Sequence, residues 1–79
     1  MKITLQAKVL AVERATSSEE VFTVALDCGQ PFKTASGNVG AMVIDTIYAR
    51  PADGYFVLRV LGQPTVNQGD QVAVEIEPA

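Results

Sequence analysis

The sequence predicts a small all-β domain: a five-stranded antiparallel barrel or half-open barrel, OB-like or SH3-like, without a substantial helix. Three stretches carry that prediction. Ala41–Leu61 (AMVIDTIYARPADGYFVLRVL) holds two apolar, β-prone runs around Pro51-Ala52-Asp53-Gly54. Pro presets the first turn angle, Asp bonds its own backbone, and Gly accepts positive φ, so the segment reads as a β-hairpin. Residues 2–14 begin with strict alternation, and Gln71–Glu77 alternates throughout. Period-2 patterning is the signature of a strand with one buried face.

In the first strand, Ile3, Leu5, Ala7, Val9 and Ala11 fall on one face and Thr4, Gln6 and Lys8 on the other. Leu10 and Val12 then turn the second face apolar, as in a strongly bent barrel strand. A helix across Leu10–Glu20 is the competing reading, but the apolar spacing fits a helical template poorly. Thr16-Ser17-Ser18-Glu19-Glu20 is turn-like, and its Ser-x-Glu pattern also suits a helix cap. Val21–Leu26 is rich in β-branched and aromatic residues, so it reads as the second strand, ended by Cys28-Gly29-Gln30-Pro31. Residues 29–40 (GQPFKTASGNVG) have turn-rich composition and read as a long loop, either a functional loop or a plain connector. The central hairpin follows, then a second loop at 62–71. The last strand points Val72, Val74 and Ile76 inward and Gln71, Ala73, Glu75 and Glu77 outward. Its phrase GDQVAVEIEP resembles the turn-and-strand that ends many small barrels, a generic likeness that singles out no family.

With 79 residues the chain is one domain, 1–79, with a small core that is marginal alone. Hydrophobic residues at 48% argue against disorder, and no apolar run is long enough for a membrane span. Met1-Lys2 leads directly into a strand with no apolar leader, so the expected location is cytoplasmic, without membrane association. Cys28 is the single cysteine and pairs with nothing internal. The chain has no histidine, which removes the commonest general base and metal ligand. The net charge of −3 lacks the basic excess of a phosphate-neutralising protein, although a local basic face is compatible with it.

The hairpin sets the candidate site. With Pro51–Gly54 as a four-residue loop, Arg50 lies opposite Tyr55, Tyr48 opposite Val57, and Thr46 opposite Arg59. Thr46, Tyr48, Arg50, Tyr55, Val57 and Arg59 then share one face. Val43, Ile47, Ala49, Phe56, Leu58 and Val60 share the other, with Asp45 an exception needing a strand end or a partner. Both tyrosines and two of the six basic residues thus converge. Tyr with Arg is the composition of protein-contact hot spots and also of single-strand stacking platforms. The plain alternative is a solvated face of ordinary cross-strand pairs.

Catalytic and metal-binding patterns are not evident. Gly37-Asn38-Val39-Gly40 lacks the Lys and the helix of a phosphate loop. Asp27, Asp45, Asp53 and Asp70 match no calcium-loop spacing. Glu75 and Glu77 read as edge charges. The expectation is therefore a non-enzymatic binding module, with no cofactor, that recognises another protein or itself through the Tyr/Arg face. A homodimer is favoured because so small a core gains by burying a face or pairing an edge. The alternatives are an OB-like binder of single-stranded nucleic acid using Tyr48, Arg50, Tyr55 and Arg59 with Lys8 and Phe32, and a small inhibitor or accessory protein of a mobile genetic element.

Overall fold

The computed structural model describes residues 1–16, 19–39 and 43–79, excluding the side chains of Val43, Asp45 and Thr46. Expectations for Ser17, Ser18, Gly40, Ala41 and Met42 fall outside the described residues. The architecture is all-β. Among the described residues six strands follow one another: β1 (Ile3–Arg14), β2 (Val21–Asp27), β3 (Phe32–Gly37), β4 (Val43–Arg50), β5 (Tyr55–Leu61) and β6 (Gln71–Pro78). They form one antiparallel sheet in the order β3-β6-β1-β2-β5-β4. The sheet curls until its edge strands β3 and β4 approach each other, giving a nearly closed barrel. No helix among the described residues is long and apolar enough to cross a membrane.

The strand count is six rather than five, and the difference is β3. It occupies part of the stretch read as a loop. Its residues, Phe-Lys-Thr-Ala-Ser-Gly, have weak intrinsic strand preference, and a register shift between Phe32 and Thr34 interrupts the pairing. What makes it a strand is the partner: Ala35, Ser36 and Gly37 lie opposite Ile76, Glu75 and Val74 of β6. Tertiary pairing overrides propensity here. Phe32 is thereby a core residue, 2% exposed, with its ring edge-on to Phe56 at 6.1 Å. It is removed from any surface site.

β1 is a strand through Arg14, so the competing helix is absent from Leu10–Arg14. The bend has a cause: the β1–β2 register skips Leu10, which makes it a β-bulge between Val9 and Ala11. One extra residue switches which side chains face inward. Ala7 and Val9 are buried before the bulge, whereas Val12, opposite Val24, packs against the core after it. Ala11, expected inside, is instead opposite Ala25, whose neighbours Val24 and Leu26 point inward. The loop 62–70 closes onto the same place. Val9 donates to the Asp70 carbonyl and Gly69 donates to the Val9 carbonyl, both at 2.8 Å. Pro64 of that loop is buried and Val66 packs on the core.

β2 connects to β3 across the barrel end through Cys28–Pro31, a segment that skips over β1 and β6. The crossing passes over the β4–β5 turn. That turn is a single 3₁₀ turn at Pro51–Asp53 ended by Gly54 in the left-handed conformation, φ 66°. Cys28 donates to the Gly54 carbonyl at 2.7 Å. A Cβ on Gly54 would meet the Gln30 carbonyl oxygen at 2.5 Å. Turn and crossing therefore fit together only around a glycine.

The predicted hairpin register holds: Arg50 faces Tyr55, Tyr48 faces Val57, and Thr46 faces Arg59. It breaks between Ile44 and Thr46, so Asp45 sits at a second bulge. Ile44 stands opposite the buried Val60 and packs on the core. The bulge absorbs the position where alternation placed an acidic residue among apolar ones.

Candidate binding face on the outer sheet

The site is assembled by the register of four adjacent strands. Lys8 lies opposite Asp27, Asp27 opposite Tyr55, and Tyr55 opposite Arg50. These four form one row across β1, β2, β5 and β4 on the outer face. The next row runs Ala11, Ala25, Val57, Tyr48. A third runs Glu13, Thr23 and Arg59, ending at position 46. Alternation fixes the sidedness, because the intervening Val24, Leu26, Phe56, Leu58 and Val60 are all buried.

The result is a platform with a chemical order. Its middle row is small and apolar, closed at the β4 end by Tyr48, whose side is 56% exposed. Ala11, Ala25 and Val57 are half-buried. The row on one side carries Lys8, Asp27 and Arg50; the row on the other carries Glu13 and Arg59. Each flanking row therefore holds both signs of charge. The Arg50 guanidinium carbon lies 5.9 Å from the Tyr55 ring centroid, a cation–π arrangement that orders both side chains. Asp27 accepts a hydrogen bond from the Gly29 amide at 2.9 Å, which ties its carboxylate to the start of the crossing segment.

Of the residues singled out from the sequence, the fold brings Tyr48, Arg50, Tyr55 and Arg59 onto one face and adds Lys8 from β1 to the Tyr55 row. Phe32 is excluded, as described. Sequence reasoning missed Ala11, Ala25, Asp27, Glu13 and Thr23. The pairing of β2 with β5 is non-local, and no hairpin turn announces it. Ala11 did leave a signal, the switch of apolar parity at Leu10, but only a bulge reading turns that switch into an outward Ala11.

Elsewhere the surface offers less. On the opposite side of the barrel, an open depression of about 260 Å³ is lined by Thr4, Ser36, Asn38 and Glu75. Glu75 there is paired with Lys2 at 3.7 Å, both exposed. Arg14 lies 5.5 Å from the Phe22 ring centroid, at the far end of β1. Cys28 is buried, and burial, with the neighbouring Asp27 carboxylate second, pushes its thiol above the ordinary value. It is thus a poor nucleophile. Comparison with protein-family models, with curated proteins and with solved structures finds no match to this chain.

Proposed function

We propose that this chain is a non-enzymatic binding module that recognises another protein through the outer face of β1, β2, β5 and β4. The observation that carries the reading is the row order. An apolar stripe of Ala11, Ala25, Val57 and Tyr48 is flanked by rows of mixed charge. Protein interfaces have that anatomy, an apolar centre depleted of charge with a polar rim. Tyr and Arg at the centre and rim are the residue types that dominate hot spots. A partner would seat an apolar strip on the stripe and pair its charges with Lys8, Asp27, Arg50, Glu13 and Arg59.

A single-stranded nucleic acid is the second reading, favoured by Tyr48, Tyr55 and the three basic residues Lys8, Arg50 and Arg59. Asp27 and Glu13 weigh against it, because they stand in the same rows as those bases and would face the phosphates. The two readings separate in one titration. Labelled single-stranded DNA and RNA are titrated at low salt and followed by fluorescence anisotropy. The protein reading predicts no saturable change. Binding that weakens with salt and is lost in Tyr48→Ala and Tyr55→Ala would replace it with the nucleic-acid reading, each stacked base being worth about 1–3 kcal/mol.

A further inference from the structure

Arg50 is held in place on the outer face without being neutralised. Its guanidinium lies over the Tyr55 ring, and no carboxylate among the described residues pairs with it. The acids around it are placed elsewhere. Asp27 lies on the far side of Tyr55, two strand spacings or about 10 Å away, and its carboxylate already accepts the Gly29 amide. Asp53, in the adjoining turn, is exposed and makes no pair with Arg50. β5 has no acidic residue. The single acid of β4, Asp45, is at the bulge, about 15 Å from Arg50 along the strand. A chain of net charge −3 thus keeps an open cation beside its most exposed tyrosine. Tyr48 is two positions before Arg50 on the same face, and Val57 lies opposite Tyr48. Apolar surface therefore begins about 7 Å from the cation. Arg59, on the other side of that pair, already has a partner, so Arg50 is the group that can take a new one.

We propose that the partner meets this surface with an acidic peptide segment: a carboxylate pairs with Arg50, and an apolar side chain beside it rests on Tyr48 and Val57. This occupant presupposes the protein-recognition reading above and adds its chemistry. A guanidinium offers its N–H donors in a planar fork matched to a carboxylate, and one already held over a ring loses less freedom on pairing. A phosphate has the same charge. A nucleic-acid strand, however, needs a succession of cations along its backbone. Across the sheet from Arg50 come Tyr55 and then the acid Asp27. A peptide needs one carboxylate at the right distance from an apolar group. Residues i and i+2 of an extended segment, or i and i+4 of a helix, set two side chains on one side about 5–7 Å apart. That spacing matches Arg50 and Tyr48.

A random peptide library displayed on phage, selected on the immobilised native chain, tests this. Peptides whose binding is lost with Tyr48→Ala are synthesised and titrated. They should carry Asp or Glu beside an apolar residue, and should bind more weakly as salt rises. Arg50→Gln should weaken them at least about tenfold, and Arg50→Lys less, because an ammonium keeps the charge without the fork. Arg50 is exposed, so both variants leave the core intact. Replacing the peptide's acid by its amide should cost as much as Arg50→Gln. The two changes together should cost little more than either alone, the mark of a direct pair. Tyr48-dependent peptides without an acid, or two changes whose effects simply add, overturn the acidic segment and leave protein recognition standing. A selection with no Tyr48-dependent binder overturns both. Saturable binding of labelled single-stranded DNA that is lost in Arg50→Gln also overturns the acidic segment, in favour of a phosphate.

Discussion

Gly54 shows how one residue ties two parts of the chain. Its positive φ ends the 3₁₀ turn, and its missing side chain lets the Gln30 carbonyl pass at a distance no Cβ tolerates. A backbone carbonyl held in a chain crossing has little freedom to withdraw. Gly54→Ala therefore combines left-handed strain with a backbone clash. The expected loss is about 2–4 kcal/mol, read by chemical denaturation at constant m-value. Cys28 belongs to the same junction and gives a pH signature. Its folded-state pKa is raised, so above the ordinary thiol range the unfolded chain ionises it before the folded chain does. The folded state then holds more protons, and stability falls as pH rises from the ordinary value towards the raised one. Below that window Cys28 contributes no slope. The melting temperature of the native chain should fall more steeply through the alkaline range than that of Cys28→Ala.

Among the elements, β1 and β4 follow one logic. Each carries one extra residue that interrupts its pairing register, at Leu10 and at Asp45. Both bulges left marks in the sequence. At Leu10 the apolar parity changes, and at Asp45 an acid interrupts the apolar alternation. The hairpin register at 50/55, 48/57 and 46/59 was legible because turn chemistry is local. The bend of β1 was legible as a pattern, but its consequence for Ala11 was not, because a parity switch does not by itself name the skipped residue. β3 was not legible at all. Small and polar residues between Gly29 and Gly40 give a loop composition, and the pairing that makes them a strand is supplied by β6, some forty residues later in the chain. Gly37 sits where β3 closes over the core. A Cβ there would lie 3.2 Å from Val74 Cγ1, 3.4 Å from Leu58 Cδ1 and 3.5 Å from Phe56 Cε2. Gly37→Val forces two further methyl groups into that contact, and overpacking of this kind costs about 1–3 kcal/mol. A denaturation midpoint equal to the parent's would show that β3 does not close on the core as described.

For the molecule as a whole, the half of the candidate site on β4 and β5 was readable from one hairpin, and the half on β1 and β2 was not. The apolar stripe exists only once β2 is placed against β5 and the Leu10 bulge turns Ala11 outward. That placement converts a pair of tyrosines and arginines into an ordered surface with an apolar centre and a rim of both charges. Val57 is the centre of that surface. It is half-buried on the outer side, so on the proposed reading a charge there would weaken recognition while leaving the inner core of Phe56 and Leu58 in place. The most direct measurement is a paired quantitative capture from an extract of the source cells, with the native chain and Val57→Asp immobilised at equal density and each shown to be folded. The account predicts at least one protein retained by the native chain and depleted about tenfold or more by Val57→Asp, the loss expected for a charge set into a desolvated interface centre. The same set of proteins retained equally by both would contradict it.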